Sequence, residues 1–253
     1  MRNVLAIADK ELRSYFASPI AYILIGFFLL PFGVFFYLYL NNFVKQSLQM
    51  AQYGGAMNIN QQVIRYVLQN ASVIILFIMP MITMRTYSEE KRSGSIELLL
   101  TSPVTDLEII LGKFFGALGL YVAILAVTLL YIAVLFVYGN PEWRPIVAAY
   151  LGLLLMGGAF IAIGLLISST TNNQIVAGVI TFVGFLLFWI IGWFADTAGP
   201  TVGPITSWLS ITEHFDDFSK GIIDTKHVLY YLSLITFGLF LTAKTVDMER
   251  WRG

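Results

Sequence analysis

The sequence contains no cysteine, and only 12% of its 253 residues are charged. The absence of cysteine excludes disulfides, thiolate chemistry and cysteine-ligated metal sites. Soluble domains carry about 25% charged residues, so this chain has too little polar surface to cover a water-soluble protein of its length. Its formal net charge is zero, which gives no support for nucleic-acid binding. The scarcity of charge therefore indicates an integral membrane protein.

Apolar residues make up 58% of the chain and are concentrated in six segments. Each segment is long enough to cross about 30 Å of hydrocarbon as a helix. The segments are residues 20–40, 67–84, 114–138, 146–167, 175–195 and 227–243. The alternating pattern of a β-barrel is absent, and helices satisfy their own backbone groups in lipid. We therefore predict an all-α, polytopic membrane protein with a single domain over residues 1–253, a six-helix bundle over 20–243 and a tail over 244–253.

The basic residues are distributed unequally between the two sides of this topology. Ten Lys and Arg residues lie on the side of the termini and five on the opposite side. By the positive-inside rule, both termini are expected to be cytoplasmic. We expect the protein to lie in the cytoplasmic (inner) membrane. The segments 41–66 and 196–226 are then on the outer side.

Residues 1–17 precede the first span and have an amphipathic pattern. Asn3 is a candidate N-cap, and Val4, Ala8 and Leu12 form an apolar stripe at helical spacing. This pattern predicts a helix in the cytoplasmic membrane interface, with a solvated N-terminal helix as the alternative.

Motifs for catalysis or cofactor binding are missing. His214 and His227 are the two histidines and form no HExxH motif, and there is no phosphate-binding loop or nucleophile elbow. The predicted spans contain no Asp, Glu, Lys or Arg, which argues against a proton-coupled transporter. Gly112 and Gly116 have GxxxG spacing, which is typical of close helix packing. We expect no enzymatic activity, no metal and no cofactor in this chain.

The densest charge lies between the second and third predicted spans, over residues 85–108. Residues 88–92 form a polar extension of the second span, which Gly94 ends. Ser95 is positioned to cap a short apolar helix that ends at Pro103, and Thr105 and Glu108 form a capping box for the next helix. The short helix must bury its leucines against its own bundle, lipid or a partner protein.

The run EEKRSGSIELLLTSPV (residues 89–104) resembles the cytoplasmic loop of ABC-2 type transporter permeases, with Ser95 where the family has threonine. Three further stretches are similar to the gliding-motility and nitrous-oxide-reductase-maturation permeases. They are residues 16–22, 168–176 and 213–224. The resemblance extends over essentially the whole chain.

The resemblance implies that the loop after the second span is a coupling helix that contacts an ATPase subunit. The expected coupling residues are Glu89, Glu90, Arg92, Gly94, Ser95, Ile96, Glu97, Leu98 and Pro103. It also implies an outer gate, or a docking surface for a partner, formed by short re-entrant helices. Its expected residues are Glu213, His214, Phe215, Asp216, Phe218 and Gly221, with an ordinary amphipathic surface helix as the alternative.

The implied function is that of the membrane subunit of an ATP-binding-cassette exporter. Its expected partners are a separate ABC ATPase with ATP and Mg, a second permease copy in a homodimer or related heterodimer, the lipid bilayer and an extracytoplasmic accessory protein. The alternative function is mechanical transmission, in which the chain passes ATPase-driven motion to an extracytoplasmic partner without transporting a substrate.

Overall fold

The computed structural model describes residues 2–53, 55, 57–95, 104–194 and 199–250, and within these ranges it contains helices and no strand. The α-helices in the described ranges are α1 Arg2–Ala17, α2 Pro19–Ala51, α3 Arg65–Thr83, α4 Ser88–Ser93, α5 Asp106–Tyr138, α6 Trp143–Thr170, α7 Gln174–Ile190, α8 Gly199–Leu209, α9 Ile211–Ser219 and α10 Thr225–Arg250. A π-helical turn, Asn60–Ile64, precedes α3, and a 3-10 turn, Ile191–Phe194, follows α7. The all-α prediction is confirmed.

Six stretches of helix are long and apolar enough to cross a membrane, and they correspond to the six predicted spans. The helices extend beyond the predicted limits. The first predicted span ends at residue 40, whereas α2 continues to Ala51, and the third begins at residue 114, whereas α5 begins at Asp106. Hydropathy marks only the apolar part of a helix, because backbone hydrogen bonding continues into polar sequence.

Local capping chemistry determines several helix ends. The hydroxyl of Ser18 accepts a hydrogen bond from the backbone of Ile20, and Pro19 occupies the first turn of α2. The predicted capping box between Thr105 and Glu108 is formed at the start of α5. Gly94 ends α4 with a φ of 72°, a left-handed conformation that favours glycine. The predictions of the capping box and of the helix end at Gly94 are confirmed.

The centre of the bundle is formed by α3 and α6. In the apolar window of each of these spans, 67% of the residues are buried, against 22% for the spans built on α2, α7 and α10. The three less buried helices each turn one side to the core and leave a broad apolar surface outward. This arrangement is expected when the outer surface meets lipid rather than water.

The N-terminal helix α1 packs along the first turns of α5 and runs in the same direction. Asn3 donates hydrogen bonds of 3.2 Å to the Glu108 carboxylate, and further along the same face Ile7 and Glu11 lie against Gly112 and Gly116. Because α1 begins at Arg2, Asn3 lies inside the helix, and its prediction as an N-cap is wrong. The interfacial location of α1 stays a prediction.

Candidate functional site

The predicted coupling segment is described up to residue 95 and again from residue 104. Its visible part consists of α4, Gly94 and Ser95. Ile96, Glu97, Leu98 and Pro103 lie outside the described residues. The functional geometry is therefore that of α4 and of the helices that hold it.

Lys113 of α5 is buried at the junction between α4 and α1, with 1% of its side chain exposed. Its ammonium nitrogen lies 2.7 Å from Glu90 Oε1 and 3.3 Å from Glu11 Oε1, and it donates to the carbonyl of Thr86 at 2.9 Å. The ring of Tyr87 lies below the same nitrogen, with its centroid at 5.0 Å. One buried cation thus joins α5 to both α1 and α4.

The long helix α5 contains a buried lysine, whereas the predicted spans contain no charged residue. Lys113 precedes the third predicted span by one residue, but α5 extends seven residues beyond Lys113 toward its N-terminus, to Asp106. The carboxylates of Glu11 and Glu90 compensate for the desolvation of the ammonium group, as a buried charge requires. The pairing depends on residues far apart in sequence.

Glycines on α5 allow α1 to approach closely enough for this pairing. A Cβ atom added to Gly112 would lie 2.6 Å from Cβ of Ile7, and one added to Gly116 would lie 2.6 Å from Cβ of Glu11. The GxxxG spacing therefore serves close packing within one chain, as the sequence indicated. Glu11 reaches Lys113 because no side chain lies between the two helices at Gly116.

The predicted coupling residues of α4 have different environments. Glu90 points inward to Lys113 and is 17% exposed, whereas the Glu89 side chain is 47% exposed and pairs with Arg85 at 2.8 Å. Arg92 and Gly94 are exposed. The hydroxyl of Ser95 lies 2.9 Å from that of Ser93, so within the described residues its contact is local.

Lys91, next to Glu90, connects α4 to the opposite side of the bundle. Its side chain is 6% exposed, and its ammonium group binds Glu249 of α10 and the carbonyl of Ser169 at the end of α6. Two neighbouring residues of a short helix thus form buried ionic contacts in two directions. Through them α4 is joined to α1, α5, α6 and α10, so a displacement of α4 would be transmitted to all four.

The outer segment between α7 and α10 contains two short helices, α8 and α9, as the sequence predicted for this region. Phe215 and Phe218 of α9 are buried, and Phe218 packs where a Cβ at Gly152 of α6 would be 2.6 Å from its own Cβ. Glu213 is exposed. Whether the pair is re-entrant stays a prediction.

Asp216 of α9 forms the ionic contact to α3. It accepts hydrogen bonds from Arg65 at 3.0 Å and Gln69 at 2.8 Å, and it pairs with Lys220 one turn further along. Burial opposes ionisation, but the bonds from Lys220 and Arg65 outweigh it and lower the pKa of Asp216. The carboxylate therefore remains charged at neutral pH and fixes α9 against α3.

The end of α9 differs from the sequence-based interpretation. In the sequence, the spacing of Phe215, Phe218, Ile222 and Ile223 predicts one apolar helix face with Gly221 as a bend. In the structure α9 ends at Ser219, and both isoleucines are more than half exposed. Gly221, expected as a bend, has a φ of 86° and lies against Pro145, where a Cβ would be 2.9 Å from the proline Cα. The bend follows from this left-handed conformation, which stops the helix before the isoleucines.

His214 of α9 and His227 of α10 face each other, although 13 positions separate them in sequence. Their Nδ1 atoms are 2.6 Å apart, His214 Nε2 lies 2.9 Å from the Trp208 carbonyl, and His227 Nε2 lies 2.8 Å from Asp217 Oδ2. The ring of His214 also stacks on Tyr230, with centroids 3.7 Å apart. The spacing of the two histidines in sequence excludes a zinc-protease motif but does not indicate this contact. Within the described ranges, no group of three or more acidic or histidine side chains is arranged for a metal ion.

The sequence profile of the family described as ABC-2 family transporter protein matches residues 39–212. The chain belongs to this family. The match includes α3 to α8, and therefore contains the coupling segment and most of the central bundle. The family explains the six apolar helices as those of a transporter's membrane domain.

Two curated relatives are similar to part of the chain. Both are described as "Probable multidrug ABC transporter permease YbhR", one from Escherichia coli K12 and one from Escherichia coli O157:H7. Each is 27% identical over 144 residues, which is 56% of this chain and 38% of the relative. The aligned part thus spans well under half of the relatives' length.

Proposed function

We propose that this chain is the membrane subunit of an ATP-binding-cassette exporter in the cytoplasmic membrane, with both termini in the cytoplasm. A separate ATPase would bind ATP and Mg and dock on the segment after α3. Two permease copies and two ATPase copies would form the assembly. The observation that supports this proposal most directly is the ionic attachment of α4 to four helices, next to a segment that resembles a coupling helix.

The structure suggests how force from the ATPase would enter the membrane domain. Nucleotide can shift the permease only if the ATPase binds its two conformations with different affinity. We propose that Ile96, Glu97 and Leu98 make this contact and that Glu90 and Lys91 transmit its displacement. Glu90 is then an internal link to Lys113, while exposed Arg92 faces the ATPase.

The docking contact is tested by replacing Leu98 with Asp and measuring co-purification with the ATPase encoded beside it or expressed with it. A charge in an apolar groove is expected to weaken the complex about tenfold or more. The control is Leu5→Asp, which makes the same change at a leucine that is 69% exposed on α1. Undiminished assembly of Leu98→Asp would contradict the docking assignment.

Export is tested separately in liposomes that contain the permease and its ATPase. The curated relatives are described as probable multidrug permeases, so a hydrophobic fluorescent dye is the first substrate to test. ATP-dependent dye movement that Leu98→Asp abolishes would support export. ATP-dependent release of an outer partner, without movement of any dye, would instead favour mechanical transmission.

A further inference from the structure

A hydrogen bond between the Nδ1 atoms of His214 and His227 needs a hydrogen that the two neutral rings cannot supply. The Trp208 carbonyl oxygen only accepts hydrogen bonds, so His214 Nε2, 2.9 Å away, must bear a hydrogen. The Asp217 carboxylate likewise accepts from His227 Nε2 at 2.8 Å. The ammonium nitrogen of Lys220 lies 3.7 Å from the other carboxylate oxygen of Asp217.

With one hydrogen on each Nε2, both Nδ1 atoms of neutral rings have only a lone pair. These atoms are 2.6 Å apart, a distance at which two lone pairs repel. One additional proton between them changes the repulsion into a short N–H···N hydrogen bond. The pair then has one positive charge, and the Asp217 carboxylate is its counterion.

We propose that His214 and His227 form a proton-binding site on the outer side of the protein, which takes up one proton and thereby fastens α9 to α10. The site has a built environment, because both imidazole rings are about 6% exposed and His214 stacks on Tyr230. The site binds a proton from solvent, and the bound proton holds α9 against α10.

Other ionisable groups surround the site on each packed element. Those described around the pair are Asp216, Asp217 and Lys220 on or just after α9, Arg65 on α3, and Asp224, Lys226, Tyr230 and Tyr231 just before or on α10. The described residues of α7 and α8 include no ionisable side chain, and α6 meets α9 through Gly152. Asp216 pairs with Arg65 and Lys220, and Asp224 pairs with Lys226 at 3.3 Å, so Asp217 is the carboxylate that accepts a hydrogen bond from the imidazoles.

The direction of the pH effect follows from the proton count. The pKa of His214 is lowered by burial and by the charges of His227 and Lys226, which work against the added proton, whereas the Trp208 carbonyl and the Asp217 charge favour it. When the two imidazole rings are separated, the extra proton is not needed. The form in which the rings are in contact therefore binds one proton more, so it gains stability as pH falls and loses stability as pH rises.

The experiment is amide hydrogen exchange of α9 in the purified full-length protein at pH 5 and pH 8, corrected for the intrinsic exchange rate. We expect protection of residues 211–219 to be about tenfold greater at pH 5, the effect of one charge-assisted hydrogen bond. His227→Asn keeps an N–H donor near the Nδ1 position without titrating, so its protection should not depend on pH. His227→Phe removes the donor and should give low protection at both pH values.

Glu213→Gln is the matched control, because it removes an exposed acid from the same helix and should keep the wild-type pH dependence. Equal protection of the wild type at both pH values would overturn the proposal, as would greater protection at pH 8. A pH dependence that persists in His227→Asn would assign the effect to another group. Imidazole nitrogen shifts of the wild type give an independent count, with one proton expected between the two Nδ1 atoms at pH 5.

Discussion

At the residue scale, two side chains determine how the predicted coupling segment is attached. Glu90 and Lys91 are adjacent on α4, yet one pairs with Lys113 of α5 and the other with Glu249 of α10. A six-residue helix has little stability of its own, since isolated helices need about 12–15 residues. Its position therefore depends on these buried ionic contacts, and the charges near the segment have an internal role as well as an external one.

Removing the buried cation gives the sharpest prediction for this network. Lys113→Met leaves the partly buried Glu11 and Glu90 with only the exposed Lys10 as a counter-charge, and breaking a buried ion pair typically costs about 3–5 kcal/mol. We expect a clear drop in the thermal midpoint of the detergent-solubilised protein. Lys10→Met is the control: Lys10 lies 3.6 Å from Glu11, but its side chain is 65% exposed, so its effect should be small. The triple variant with Glu11→Gln and Glu90→Gln should recover most of the lost stability, and a failure to recover would contradict an ionic role.

At the element scale, the sequence predicted the features that depend on neighbouring residues. The capping box at Thr105, the helix end at Gly94 and the six apolar helices all follow from local pattern, and the structure confirms them. The pairing of Lys113 with Glu11 joins residues 102 positions apart, and the histidine contact depends on how α9 folds back on α10. Such contacts arise from tertiary packing, which the local pattern of a single sequence does not predict.

The packing of α1 on α5 yields a prediction about a whole helix. In Gly116→Val the new side chain would overlap Glu11, where a Cβ already lies 2.6 Å from the glutamate Cβ. We expect α1 to separate from α5, with faster amide exchange over residues 2–17. Gly184→Val is the matched control, because a Cβ at Gly184 has no neighbour within 4 Å. Unchanged exchange in Gly116→Val would show that α1 is not held by this close approach.

At the scale of the whole molecule, the absence of cysteine makes the topology directly measurable. Single cysteines can be introduced at exposed positions, such as Arg13 on α1 and Tyr53 after α2. With cytoplasmic termini, a membrane-impermeant maleimide should label Tyr53→Cys in intact cells and Arg13→Cys only after lysis. The unmodified chain serves as an unlabelled control, and the reverse pattern would place both termini outside.

The parallel pairing of α1 with α5 also sets an order in time. Asn3 and its partner Glu108 are separated by 105 positions, and at about 5–20 residues per second the ribosome needs roughly 5–20 s to synthesise that interval. During this interval the Ile7 and Glu11 face of α1 has no α5 to pack against. The membrane surface is an apolar environment available to that face, so α1 is expected to remain there until α5 emerges and Lys113 pairs with Glu11.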